Sequence, residues 1–388
     1  MKRSRMVLAL AASASMLFAA CSGGAAPSSA PSASEPAPSA SASTEPSASA
    51  PAELTKVSLQ LQWAPQAQFA GYFAAKDQGY FEAAGLDVTI LDGGPTVVPQ
   101  QVGSAPDGPE FTISWVPKVL EAREAGSDLV NIAQIFQRSG TLSVSWKDSN
   151  ITKPADFKGK KIGVWDFGNE FEVTAGAKKA GLEQGTDYEK VIQPFDMTLL
   201  LSKQIDVAEA MIYNEYAQVL EATNAETGEL YQPTDLNVIN WNDEGVAMLQ
   251  DALFARAAWL AEAGNEDVAK AFLKASFQGW VYCRENPDDC IQSTVDAGSQ
   301  LPAGHQRWMM NEINPLIWPS PAGIGMMDTA LWQQTVDVSL GAGVIKAAPP
   351  AEAYRTDLAE AALAELADAD TKGESFTKGT VEVTAGGN

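Results

Sequence analysis

Histidine is almost missing from this chain: 388 residues contain one, His305. No Ser-His-Asp or Cys-His arrangement is evident, and His305 lies beside Gly304 in a tryptophan-rich stretch that reads as loop. Cysteine is scarce too, at three, so a zinc site lacks ligands. Positive charge is in deficit: 26 Lys and Arg stand against 49 Asp and Glu, a formal charge of −23. Such an acidic surface repels nucleic acid and anionic headgroups, and no basic patch stands out, which excludes nucleic acid as a partner. In so acidic a chain, carboxylates close in sequence say nothing of acid–base catalysis. Two motif imitations also fail. Asp166-Phe-Gly168 lacks the phosphate loop of a kinase, and the calcium-loop start at Asp368 has Gly379 where a bidentate Glu belongs.

The apolar stretch Met6–Ala20 is too short for a comfortable membrane span. With Lys2, Arg3 and Arg5 before it and small residues ahead of Cys21, residues 1–20 resemble a bacterial lipoprotein signal. Cys21 is then the lipidated first residue; an ordinary secretory signal is the alternative. Ser22–Ala52 is nearly all Ser, Ala and Pro and cannot bury enough surface to fold. Residues 21–54 therefore read as a tether. Extended at about 3.1 Å per residue, it holds a domain some tens of Å from a membrane. The expected location is the extracytoplasmic face of the cell membrane, through a lipid anchor. Cys283 and Cys290 remain, astride Asn286-Pro287, and in an exported chain they read as a disulfide stapling a local turn. Two free buried thiols are the alternative.

From Lys56 strands and helices alternate, the pattern of parallel-rich sheets flanked by helices. Strands are expected at Val57–Leu61, Gly85–Ile90, Phe111–Trp115, Leu129–Phe136, Leu142–Trp146, up to Trp165, Val191–Phe195, Val207–Tyr213 and Val246–Phe254. The theme restarts near Leu142. The expected organisation is an α/β fold of two lobes: residues 55–141 in lobe 1, 142–241 in lobe 2, and 242–366 returning to lobe 1 with C-terminal helices. A disordered tail, 367–388, follows. Two crossings between lobes imply a ligand cleft with hinges.

The stretch Gln60–Phe81 combines a strand, a turn broken by Pro65 and a helix, which is where α/β proteins place ligands. Its Gln62, Trp63, Gln68 and Phe69 mix aromatic faces with uncharged hydrogen-bonding groups, suiting a planar, neutral, polar ligand. Core packing is the alternative for the aromatics. Trp115, Trp165, Tyr213 and Trp241 end or follow predicted strands and are candidate platforms. Asn169, Glu170, Asn214 and Glu215 follow two of these strand ends and are candidate hydrogen-bonding partners; Glu215 at a helix start also complements the helix dipole.

Gln60-Leu-Gln-Trp-Ala-Pro-Gln-Ala-Gln-Phe-Ala-Gly-Tyr-Phe73, Lys158-Gly-Lys-Lys-Ile-Gly-Val164 with Asp166-Phe-Gly-Asn-Glu170, and Asp206-Val-Ala-Glu-Ala-Met-Ile-Tyr-Asn-Glu-Tyr216 carry a resemblance. In this order they resemble the thiamine-pyrimidine-precursor-binding family of periplasmic-type solute-binding proteins, a branch of which serves riboflavin uptake. The likeness covers roughly Val57–Tyr282. It implies a two-lobed periplasmic-binding-protein-like fold and a binding protein, not an enzyme, working as a monomer without cofactor beside an ABC permease and ATPase. Its ligand is riboflavin or a thiamine pyrimidine precursor of hydroxymethylpyrimidine type, and the number of aromatic platforms favours riboflavin. Fungal enzymes of the wider family use a pyridoxal phosphate lysine, a histidine and a cysteine-rich run. Here Ser114 stands in place of the lysine, and Asp243–Met248 in place of the cysteines.

Overall fold

A computed structural model describes residues 53–388. The leader, Cys21 and the tether up to residue 52 lie outside the described residues. Ten strands follow one another as β1 (Thr55–Gln60), β2 (Leu86–Leu91), β3 (Phe111–Ser114), β4 (Leu129–Gln134), β5 (Thr141–Trp146), β6 (Lys161–Val164), β7 (Glu189–Ile192), β8 (Val207–Met211), β9 (Leu236–Asn240) and β10 (Ala252–Arg256). They form two five-stranded sheets, ordered β2-β1-β3-β10-β4 and β7-β6-β8-β5-β9.

Each sheet is parallel except for one strand. In the first, β10 runs antiparallel to β3 and β4; in the second, β5 runs antiparallel to β8 and β9. These are the strands on which the chain enters a lobe from the other one. The crossing reverses its direction relative to strands fed by helices, so the reversed strands mark the two crossings. Between β9 and β10 the chain runs outside any strand, so the strand expected from Val246 begins only at Ala252. Main chain and side chains both hold this segment: Leu249 O accepts from Val116 N at 3.1 Å and Asp251 O from Phe136 N at 3.0 Å, while Met248 N donates to Glu172 Oε1 at 2.6 Å and Leu249 N to Thr335 Oγ1 at 2.9 Å. The other crossing is tied to the same carboxylate, since Ser139 Oγ donates to Glu172 Oε2 at 2.7 Å.

Lobe 1 is organised around the helix Asn265–Glu285, whose Phe272 stacks on Phe111 with ring centroids 3.9 Å apart. That helix crosses the helix Ala70–Asp77 at two glycines. A Cβ on Gly279 would lie 1.9 Å from Gly71 O, and one on Gly71 would collide with the Trp280 ring. The Ala-Gly-Tyr of the opening stretch is thus a packing requirement. Lobe 2 closes on Trp241, which sits at 0% exposure against Gly176 and 6.4 Å from the Phe157 ring.

Two C-terminal expectations are corrected, on His305 and on the tail. The stretch around His305 is the helix Ala303–Ile317, entered from Pro302 and containing Pro315 in its last turn. Asn286-Pro287 breaks the chain between two helices, with proline at the first position of the second, and Cys283 and Cys290 are bonded across that junction as expected. The tail after residue 366 is packed. Lys372 O accepts from Ser320 N and Thr371 O from Ile324 N, both at 2.8 Å, Lys378 pairs with the buried Glu312, and Gly386 N donates to Glu221 O at 3.0 Å. It lacks an apolar periodicity because main-chain bonds, rather than a buried stripe, hold it.

Candidate ligand-binding site

The cleft between the lobes encloses about 730 Å³ of space between atoms, open solvent at its mouth included. Lobe 1 contributes the turn after β1, with Gln62, Trp63 and Gln68, and Trp115 and Lys118 after β3. Lobe 2 contributes the segments after β6, β7 and β8, with Trp165, Phe167 and Asn169, then Phe195, then Tyr213, Asn214 and Glu215. These are mostly the C-terminal ends of the parallel strands, where side chains escape the sheet and converge.

Behind the lobe 1 wall lies the buried Asp251, in the crossing segment before β10. Its Oδ1 accepts from Gln62 Nε2 at 2.5 Å and Trp115 Nε1 at 2.8 Å, and its Oδ2 from Gln68 Nε2 at 2.8 Å. Burial pushes its carboxyl up to about 6, opposed by these three donors. The amide nitrogens of Gln62 and Gln68 therefore hold a buried carboxylate, and Gln68 Oε1 accepts from Gln66 Nε2 at 2.6 Å. Lys118 lies 4.3 Å from the centroid of a Trp115 ring and donates to Asn169 Oδ1. Burial lowers its ammonium to about 8, opposed by Asp251 and Glu209.

An aromatic row crosses from lobe to lobe. Trp63 meets Phe195 at 4.3 Å, tilted by 51°, and Phe195 stacks on Trp165 at 5.8 Å with 16° between planes. Phe167, at φ +66°, is 72% exposed beside them. Phe167 and Phe195, the exposed rings here, have unburied apolar faces to offer a flat ligand, whereas Trp165 is buried against Phe195. On the lobe 2 wall, Glu215 Oε2 accepts from Met211 N at 3.0 Å and its Oε1 from Asn214 Nδ2 at 2.9 Å. Burial raises this carboxyl to about 7.

Three sequence candidates lie elsewhere. Phe69 is fully buried in the lobe 1 core and Trp241 in the lobe 2 core. Glu170 pairs with Lys190 at 3.4 Å and accepts from Gly168 N, which fixes the turn after β6. Asp251, Lys118, Phe167 and Phe195 are absent from the sequence candidates. Phe167-Gly168 after a strand was the available signal for the third; Asp251 carries none, being placed by a crossing. Ser114 is buried in β3, its hydroxyl 3.5 Å from Gln100 Oε1.

Two lobes joined by two crossings around an aromatic cleft define the periplasmic-binding-protein class of fold. The aliphatic sulphonate binding protein SsuA of Escherichia coli superposes with a TM-score of 0.55 at 16% identity, over 76% of this chain and 89% of that one. The chain belongs to the NMT1/THI5-like family, whose model matches residues 66–290. It is similar to the riboflavin-binding protein RibY of Chloroflexus aurantiacus, 26% identical over 86% of this chain and 91% of that protein. It is also similar to the formylaminopyrimidine-binding protein of Halalkalibacterium halodurans, 25% identical over 61% of this chain and 69% of that one.

Proposed function

We propose that this protein is the solute-binding component of an ABC importer and captures a planar vitamin-type heterocycle, riboflavin before a thiamine pyrimidine precursor. The observation that carries the reading is the row Trp63–Phe195–Trp165, aromatic surface contributed by both lobes to one cleft. A tricyclic ring fills such a surface, whereas a single pyrimidine leaves much of it uncovered. The extent of the likeness to RibY supports the same choice. Gln62, Asn169, Asn214 and Glu215 supply polar groups for the ligand's edge, and burying that edge without partners would cost affinity. Binding draws the lobes together, and the closed form is what a permease and its ATPase receive. A lipid on Cys21 and the tether after it keep the domain beside that permease; Cys21→Ser should move the protein to the soluble fraction, and its retention on membranes in detergent-free buffer would refute the anchor.

The test is titration of residues 53–388 with riboflavin, followed by quenching of flavin fluorescence, and with 4-amino-5-hydroxymethyl-2-methylpyrimidine by calorimetry. Saturable binding of riboflavin, at least tenfold tighter than of the pyrimidine, is expected. The reverse order assigns the pyrimidine. Binding of neither defeats the proposal.

A further inference from the structure

The only histidine is neither a loop residue nor exposed. His305 lies in the first turn of the helix Ala303–Ile317 at 1% exposure, and its ring stands between two acceptors. Nδ1 is 2.9 Å from both carboxylate oxygens of Glu221, and Nε2 is 3.0 Å from Asn214 Oδ1. A proton on Nε2 satisfies Asn214 Oδ1, and Glu221 faces the other ring nitrogen.

The orientation of the Asn214 amide follows from its other neighbours. Its Nδ2 donates to Glu215 Oε1 at 2.9 Å, and its Oδ1 also accepts from Gln218 Nε2 at 3.2 Å. Turning the amide over would set its oxygen against a carboxylate oxygen of ionised Glu215 and would require the Gln218 amide to turn with it. The proton on His305 Nε2 and the acceptor character of Glu215 are therefore linked through one amide. Gly387 seals the pair from water: a Cβ there would lie 2.8 Å from His305 Cβ and 3.0 Å from Glu221 Oε1.

We propose that His305, paired with Glu221, is a positioning residue: it fixes the Asn214 amide so that Glu215 is presented to the cleft as an acceptor, selecting ligands with an N–H or O–H donor at that edge. This rests on the reading of the cleft as a ligand site. Glu215 already accepts from Met211 N and Asn214 Nδ2, so its carboxylate is held in place, and its remaining lone pairs serve the ligand. His305 touches no ligand. It acts through Asn214, and through it the C-terminal tail is joined to the specificity of the cleft.

Because the chain has one histidine, 15N-histidine labelling of untagged residues 53–388 gives a single ring to observe. Without ligand, the ring nitrogen that faces Asn214, Nε2, should carry a proton, read from its 15N shift. A ring with no proton on Nε2 in the unmodified protein overturns the proposal, whatever the cleft binds. Riboflavin and its N3-methyl derivative are then titrated against the unmodified protein and His305→Gln, with denaturant midpoints checking that both are folded. Loss of about tenfold in affinity for riboflavin, the scale of a charge-assisted hydrogen bond, with little change for the methylated compound, is expected. Lumiflavin, which lacks the ribityl hydroxyls, is the second arm for a donor on the side chain. Equal losses for riboflavin, its methyl derivative and lumiflavin overturn donor selection. Failure of the unmodified protein to bind any flavin defeats the vitamin reading alone and leaves the ring spectrum to decide the role of His305.

Discussion

Lys118 of lobe 1 donates from Nζ to Asn169 Oδ1 of lobe 2 at 2.8 Å, a direct polar bridge across the cleft. The same ammonium lies over a Trp115 ring, and that indole N–H donates to Asp251. One buried cation thus connects both lobes, an aromatic wall and the carboxylate at the crossing.

Burial lowers Lys118 to about 8, so its charge is present below that pH and lost above it. Cation–π attraction to Trp115 goes with the charge. Ligand affinity should therefore fall between pH 7 and pH 9, by a few-fold. The same titrations on Lys118→Met should show no such slope; an unchanged slope would place its cause elsewhere.

Glu172 binds both crossings and burial raises it to about 7 from 4.5. The folded state then holds a proton that the unfolded chain releases, so stability is greatest below about pH 4.5 on this account and falls as pH rises through 7. Glu215, also raised to about 7, adds to the trend. Urea unfolding at pH 5 and pH 7.5 should show the loss. Glu172→Gln should remove about 2–3 kcal/mol of that loss, because each tenfold difference in proton affinity between folded and unfolded chain is worth about 1.4 kcal/mol. A variant with the full slope would refute the assignment.

Trp63 and Trp241 should respond oppositely to truncation. Trp63→Ala should weaken flavin binding by about 1–3 kcal/mol and change apo stability little, since the ring faces the cleft. Trp241→Ala should cost about 3–5 kcal/mol of stability and leave affinity per folded molecule unchanged, since the ring fills the space over Gly176. Ligand titration and denaturant unfolding of the two variants decide both.

Reducing the bond between Cys283 and Cys290 should lower stability by roughly 2–3 kcal/mol under the chain-entropy model for a short loop. The comparison is Cys283→Ser/Cys290→Ser against the oxidised protein. Equal denaturant midpoints would mean the helix junction is held without the link.

Local order in the chain was enough to predict two lobes and a cleft. The alternation of strand and helix recurs after Leu142, and strand ends in parallel sheets converge by geometry, which brought Trp63, Trp115, Trp165 and Tyr213 to one place. Which way a ring turns at a strand end is not local. Trp241 faces inward because Gly176, far away in sequence, leaves room for it, and Phe69 because the lobe 1 core receives it. Asp251 and Lys118 gained their meaning only from distant partners: the crossing segment returns a carboxylate to the two glutamines and the indole that follow β1 and β3. His305 is the extreme case. Its sequence neighbours, Pro302 and Gly304, suggest a loop, and nothing near them announces Glu221 or Asn214. Periodicity and turn chemistry act over a few residues, so they set the elements and their order; the charge and direction of each buried polar group depend on contacts that only the folded chain brings together.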